Sequence, residues 1–205
     1  MTKNVFIIAG GDGISTSFNT VENKIPCNKL INLLDNKNDM LLIKKLKKSE
    51  ENSYSVWGYS GNKNINIGDC IFITHINSAV YMGTVYGIFK SKKFNNEYWG
   101  NSPGWENKII LNDVIKIFIP DPLHQDKKEF FILLKRHGFE NNTDNFNKIE
   151  SLYNTNYGLK DIISKEPKIY NFQGVQVSGL EFEKVMKNLE VYCKKCNFEC
   201  IVKVV

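Results

Sequence analysis

The sequence has no apolar run near the ~18–20 residues that a membrane-spanning helix requires, so we expect no such span. Its first apolar run, Val5–Ala9, is too short for the core of a signal peptide, and the glycines after it resemble a loop more than a cleavage site. The five cysteines are an odd number, with Cys27 and Cys70 far apart, which argues against a disulfide scaffold. These absences predict a cytoplasmic protein.

Catalytic signatures are also missing. The glycine loop Gly10-Gly11-Asp12-Gly13 follows a strand, but it has neither Gly-Lys-Ser/Thr nor Gly-x-Gly-x-x-Gly spacing, so a turn is favoured over a nucleotide site. No Gly-x-Ser-x-Gly motif and no paired carboxylates in an apolar setting occur. The histidines His75, His124 and His137 are scattered along the chain. We therefore predict a protein that is not an enzyme and needs no cofactor.

Three cysteines near the end, Cys193, Cys196 and Cys200, have spacings found in zinc sites. A tetrahedral site needs a fourth ligand, which Cys27, Cys70 or a distant histidine would have to supply. Cysteine also packs as a small apolar side chain. We favour packing and predict no metal, while the zinc interpretation stays open.

The composition predicts a folded core and permits an anionic partner. Of the 205 residues, 42% are hydrophobic and 12% aromatic, which argues against general disorder. Lys and Arg number 27 against 22 Asp and Glu, a net charge of +5. That modest excess is compatible with nucleic acid but does not require it.

Hydrophobic patterns and turn residues predict an α+β fold, in which a small curved sheet or β-barrel is flanked by helices. The predicted strands are 4–9, 53–57, 70–74, 79–89, 109–119 as one or two pieces, and 199–205. The predicted helices are 26–47, with a possible break at 35–38, then 126–137 and 179–197. Residues 58–67 and 91–105 read as loops, and 140–156 as loop with a short helix. Pro120-Asp121-Pro122 predicts a boundary between a barrel core, 1–120, and a helical C-terminal extension, 121–205.

The three tryptophans are the strongest functional signal. Trp57, Trp99 and Trp105 lie among Gly, Asn, Ser and Pro, whereas core tryptophans usually stand among aliphatic residues. Flat aromatic walls stack bases or enclose methyl groups, each stack contributing roughly 1–3 kcal/mol. The alternative is that one or two of them cap the ends of the barrel. The nearby basic residues, which would contact phosphates or simply face solvent, are Lys90, Lys92 and Lys93.

The order of these segments resembles the YTH domains, within the PUA-like group that also holds the EVE and ASCH domains. The matching order covers roughly residues 4–119, with a weaker match at 172–190. Its pieces are Asn4-Val5-Phe6-Ile7-Ile8, Tyr54-Ser55-Val56-Trp57, Gly61-Asn62, Asp69-Cys70-Ile71-Phe72-Ile73, Val80-Tyr81-Met82-Gly83-Thr84-Val85, Tyr98-Trp99-Gly100, Ile110-Leu111-Asn112-Asp113-Val114 and Gly174-Val175-Gln176-Val177-Ser178.

The resemblance implies a reader that takes a methylated base, N6-methyladenine in the best-known case, into an aromatic cage. Trp57 would be the first wall, and Trp99 or Trp105 the second or third. Backbone groups of Gly58 and Tyr59 would meet the base edge. The candidates for contacting a ring nitrogen are Asp12, Ser17 and Asn19.

Similar prokaryotic domains are the N-terminal readers of McrB-type modification-dependent restriction GTPases. The implied partners are methylated DNA, with RNA as an alternative, and a GTPase motor with a nuclease subunit. The glycine loop, the insertion before Trp57 and the spacing of the cage loop depart from the family pattern. Three other interpretations stay open: a PUA-like RNA-binding module without modified-base specificity, a small enzyme or sensor using Gly10–Gly13, and a protein-interaction domain.

Overall fold

The computed structural model describes residues 3–15, 19–59, 64–100, 105–122, 125–139, 143–163, 176–177, 179–196 and 202–204. These residues form an α+β structure with a mixed sheet and helices. The strands are β1 (Val5–Ala9), β2 (Ile25–Pro26), β3 (Ser53–Tyr59), β4 (Cys70–His75), β5 (Ser78–Lys90), β6 (Asn107–Ile119), β7 (Gln176–Val177) and β8 (Val202–Val204). The helices are α1 (Cys27–Leu33), α2 (Met40–Lys47), α3 (Lys92–Tyr98), α4 (Lys127–Arg136), α5 (Thr143–Asn154), α6 (Leu159–Ile163) and α7 (Gly179–Cys196).

The strands are hydrogen-bonded in the order β2-β3-β6-β5-β4-β1-β7, and β8 pairs with β6. β1 and β4 are parallel, with Val5 opposite Cys70, whereas β1 and β7 are antiparallel. β3 and β6 are antiparallel, with Trp57 opposite Ile109 and Gly58 opposite Lys108. The sheet is therefore mixed, as α+β folds allow. Among the helices of the described residues, none is both long and apolar enough to span a membrane.

The chain forms two compact units. The first unit comprises Met1–Asp12, Asp69–Met82 and Ile115–Val205, and the second unit comprises Gly13–Gly68 and Gly83–Val114. β5 and β6 each contribute residues to both units. The units do not separate at Pro120, and the division into 1–120 and 121–205 stays a prediction.

The core of the first unit is rich in aromatic side chains. The ring of Phe118 on β6 lies 5.6 Å from that of Phe130 and 5.7 Å from that of Phe139. Gly158, just before α6, lets the backbone approach the Pro120 segment, because a Cβ there would stand 2.2 Å from the Pro120 carbonyl oxygen. Leu159 N donates to that same carbonyl at 2.7 Å. The proline pair is thus held against the start of α6.

The second unit contains β2, β3, the first part of β6 and helices α1 to α3. The outer side of β3 is closed by the chain before β2, because Val56 N donates to Thr20 O at 3.1 Å and Thr20 Oγ1 donates to Val56 O. Ser55 Oγ donates to Val21 O at 2.7 Å. These bonds anchor the strand that carries Trp57.

Several element predictions are confirmed and others are wrong. The helix at 26–47 is broken as expected: α1 ends at Leu33, α2 begins at Met40, and Pro26 is the N-cap residue of α1. The loop at 91–105 is wrong, because Ser91 caps a helix, α3, by accepting a hydrogen bond from Phe94 N. The segment 109–119 belongs to one strand, although Asp113 within it has a φ of 51°. The segment 140–156 contains a longer helix than expected, α5, and α6 was not predicted.

Candidate functional site

The three tryptophans of the chain meet in the second unit. The ring centroids of Trp57 and Trp99 are 5.5 Å apart, those of Trp57 and Trp105 are 5.7 Å apart, and those of Trp99 and Trp105 are 5.9 Å apart. The interplanar angles are 61°, 76° and 84°, so the rings meet edge to face. These distances are typical of aromatic pairs in direct contact. We call this group the tryptophan cluster.

Burial differs among the three rings. Trp57 is 1% exposed and Trp99 is 8% exposed, whereas Trp105 is only partly buried. Trp57 and Trp99 therefore form the inner part of the cluster and Trp105 its outer wall. All three rings are in contact, and Trp105, the most exposed of them, has the least packing to lose.

Two of the three indole rings of the tryptophan cluster pack against Gly58. A Cβ at this position would lie 2.7 Å from Trp99 Cζ3, 2.9 Å from Trp99 Cη2 and 3.0 Å from Trp105 Cε3. Real side chains do not approach so closely, so only glycine lets these two indoles lie directly on the β3 backbone. The contact of the Gly58 backbone with a base edge stays a prediction.

Helix α3 places Trp99. Ser91 Oγ accepts from Phe94 N at 3.1 Å and donates to Leu33 O at 2.8 Å, which fixes the start of the helix. At its end, Trp99 N donates to Asn95 O at 2.7 Å. The Phe94 ring packs 5.0 Å from the Trp99 ring. The indole is thereby held by the helix rather than by a loop.

A buried lysine lies beside the cluster. Lys108 has no exposed surface, and its Nζ donates to the carbonyl oxygen of Trp105. The same Nζ stands 5.0 Å from the Trp99 ring centroid and 5.8 Å from that of Phe94, within the range of cation–π attraction. Burial lowers the pKa of Lys108 to about 8, and the nearby Glu106 carboxylate opposes that shift.

Sequence reasoning missed Lys108. It stands in the run Asn107-Lys108-Ile109-Ile110-Leu111, and a lysine near the end of a strand is expected to face solvent. Its place beside the cluster comes from strand pairing, in which Gly58 and Lys108 are opposite each other. That pairing depends on register, which local sequence does not display.

The remaining base-contact candidates are placed differently. Tyr59, the last residue of β3, is buried, and burial raises the pKa of its hydroxyl. The Asn19 side chain is buried and supports a turn: Nδ2 donates to Ile14 O at 2.8 Å, and Oδ1 accepts from Val21 N at 3.0 Å. Asp12 begins a short 3-10 helix, Asp12–Ser15, but its side chain lies outside the described residues, as does Ser17.

The three lysines proposed for phosphate contact are solvent-exposed. Lys90 ends β5, and Lys92 and Lys93 begin α3. Lys92 Nζ lies 3.5 Å from Glu106 Oε1 in an ion pair whose side chains are 81% and 51% exposed. Such an exposed pair contributes little to stability and leaves the lysine available to an anion.

The first unit brings together two histidines that the sequence left apart. His75 Nδ1 and His137 Nε2 are 3.2 Å from each other, and both side chains are buried. Tyr81 lies edge-on to His137, with ring centroids 6.2 Å apart. His124 lies outside the described residues.

Free thiols stand at Cys27, Cys70 and Cys193, and burial raises the pKa of each. The side chains of Cys196 and Cys200 lie outside the described residues. Within the part of the chain that is described, no group of three or more His, Cys, Asp or Glu side chains is arranged to hold a metal ion.

Comparison with known proteins gives no assignment. No family model matches the chain, and neither a curated protein nor a solved structure matches it significantly.

Proposed function

We propose that the second unit is a nucleic-acid-binding module that holds one methylated base, N6-methyladenine in the first instance, at the tryptophan cluster. One observation carries the proposal: the ring centroids of the three tryptophans lie within 5.9 Å of one another, two of the rings pack against Gly58, and the outer ring is only partly buried. The related proposal for the fold is a PUA-like sheet resembling that of YTH domains.

The chemistry of a methylated base fits such a site. A methyl group forms no useful hydrogen bonds and is recognised by apolar contact that excludes water. Indole faces supply large contact areas that stack on any base. Extruding a base from a duplex costs a few kcal/mol, which contacts with the rings must offset.

Binding by this route begins with movement of Trp105. Trp57 is held by the pairing of β3 with β6, and Trp99 is held at the end of α3. These two rings therefore keep their positions when Trp105 moves. When Trp105 turns outward, a base enters against Trp57 and Trp99, and the Trp105 ring then closes over it as the outer wall. The exposed ammonium groups of Lys90, Lys92 and Lys93, in the same unit, would supply phosphate contacts.

The experiment uses fluorescence anisotropy with labelled single-stranded DNA, duplex DNA and RNA, each with and without one N6-methyladenine. A Trp105→Ala variant removes the outer wall without emptying the core, and Leu41→Ala, which alters a fully exposed apolar side chain of α2, serves as the matched control. We expect tighter binding of the methylated oligonucleotide by the wild type and by Leu41→Ala. Trp105→Ala should lose most of that preference, a loss of about 1–3 kcal/mol.

A second readout comes from the protein itself. The chain has three tryptophans, and all belong to the cluster, so intrinsic tryptophan emission reports on this site alone. Binding of a methylated base should change that emission. Equal binding of methylated and plain oligonucleotides would instead favour a PUA-like RNA-binding module without modified-base specificity. Absence of binding to any nucleic acid at low salt would favour a protein-interaction domain.

A further inference from the structure

The buried amine of Lys108 is not explained by packing. Lysine is rarely fully buried, because its charged form prefers water, and an apolar side chain of similar length would fill the same space at no electrostatic cost. Its surroundings compensate in part, through one carbonyl oxygen, the faces of two aromatic rings and the nearby Glu106 carboxylate. Such an arrangement beside a candidate site points to a ligand-directed role.

Strand pairing explains how the amine reaches the cluster. Lys108 is directly opposite Gly58 in the antiparallel β3–β6 pair, and side chains of opposite residues lie on the same face. The face of Gly58 is the one against which Trp99 and Trp105 pack. The Lys108 side chain therefore lies on the same face as the two indoles, with its amine over the Trp99 ring and bonded to the Trp105 carbonyl oxygen.

We infer that Lys108 is the specificity-determining residue of this site, and that its ammonium donates a hydrogen bond to a ring nitrogen of a purine base held among the tryptophans. This inference rests on the proposed function. The ammonium has three N–H donors, and the Trp105 carbonyl takes one of them. A donor of this kind favours a base edge that presents an acceptor and disfavours an edge that presents only donors, because the buried charge would then be left without a partner.

An adenine-type base meets this requirement for an acceptor. The ring nitrogens N1, N3 and N7 of N6-methyladenine are acceptors, and the methyl group on N6 removes none of them. The tryptophan rings would contact the methyl group and the base face, while Lys108 would read the edge. The preference for the methyl group and the preference for an acceptor on the base edge thus come from different residues. Separate variants can therefore test them.

The test measures wild type and Lys108→Met against oligonucleotides carrying N6-methyladenine or its 1-deaza, 3-deaza and 7-deaza analogues. Methionine keeps an unbranched apolar stem of similar volume and lacks the amine. Lys116→Met, on the same strand and also beside an aromatic ring, is the matched control. Circular dichroism and tryptophan emission verify that each variant is folded.

We expect one deaza analogue to bind the wild type about ten- to a hundredfold more weakly than N6-methyladenine does. Lys108→Met should bind N6-methyladenine about as weakly as the wild type binds that analogue. It should bind the analogue itself no more weakly than it binds N6-methyladenine. Lys116→Met should behave as the wild type. If Lys108→Met does not fold, the analogue effect in the wild type is compared on either side of pH about 8, where a lysine donor weakens as it deprotonates and a backbone donor does not.

The two failures are distinguishable. If the wild type binds methylated and plain oligonucleotides equally, the proposed function is wrong and this inference with it. If the wild type prefers the methylated base but Lys108→Met keeps both its affinity and its response to every analogue, only the role of Lys108 is overturned. An analogue effect in the wild type that is the same at both pH values also overturns it.

Discussion

At the scale of a single residue, burial of the Lys108 amine in the second unit carries an electrostatic cost. Its amine is enclosed by Trp105, Trp99 and Phe94, and burial brings its pKa from 10.5 to about 8. The folded protein therefore holds this proton less tightly than the unfolded chain does. The penalty is fully present below pH about 8 and disappears as pH rises through the ordinary lysine value.

That shift predicts a pH-dependent difference in stability between Lys108→Met and the wild type. Between pH about 8 and 10.5 the unfolded wild type retains a proton that the folded protein has released, so rising pH favours the folded wild type. The free energy of unfolding of Lys108→Met minus that of the wild type should fall across this interval by up to about 3 kcal/mol. Urea unfolding at a series of pH values measures it.

The comparison must be a difference between the two proteins. Burial raises the pKa values of Tyr54 and Cys70 to about 12, and these groups lower stability as pH rises in the same region. They are common to both proteins and cancel. A difference that does not change with pH would show that the Lys108 amine titrates normally.

The elements that build the site are a strand and a helix that approach unusually closely. β3 has no side chain at Gly58, and the end of α3 places the Trp99 ring against the backbone there. Close approach of this kind is possible because glycine has no Cβ. The contact between these elements, rather than either element alone, positions the indoles.

Gly58→Ala tests that contact. Its Cβ would lie 2.7 Å from Trp99, so the indole or the strand must shift, and overpacking of this kind costs about 1–3 kcal/mol. Chemical unfolding should report the loss, and the tryptophan emission of the folded variant should change. Gly13→Ala is the control, because its Cβ would stand 3.7 Å from Trp57 Cη2, an ordinary contact. Equal stability of both variants would contradict the close approach.

At the scale of the whole molecule, the charge is modest and its placement matters more than its sum. The net charge is +5, spread over a chain with 27 basic residues. Lys90 and Lys93 are exposed at the junction of β5 and α3, next in sequence to the helix that carries Trp99. If this junction meets phosphates, its contribution is electrostatic and independent of the base.

Salt dependence tests the contribution of this junction. Replacing Lys90 and Lys93 by glutamine should reduce the slope of log affinity against log salt by about 1.4–1.8, corresponding to two lost phosphate contacts. The ratio of affinities for methylated and plain oligonucleotides should not change. A Lys47→Gln, Lys48→Gln double variant removes the same charge from exposed positions at the end of α2. An equal slope change in that control would mean that only net charge matters.

Most elements were predictable because their signals are local. The alternation in β5, the apolar run of β1 and the break between α1 and α2 all follow from side-chain periodicity and turn residues within a few positions. Helix α3 was missed, because its Asn-rich sequence has weak helix propensity. Its stability comes from the Ser91 cap and from the burial of Phe94.

The candidate site likewise has parts that local sequence predicts and parts that only the tertiary structure determines. Local sequence was enough to single out Trp57, Trp99 and Trp105, since their glycine-rich surroundings are unusual for core tryptophans. The contact of Trp57 with the other two rings, the closeness of Gly58 to Trp99 and the burial of Lys108 join residues that stand far apart in sequence. Gly58 is 41 positions from Trp99 and 50 positions from Lys108. Such contacts depend on strand register and on the packing of α3, because only folding brings distant segments together.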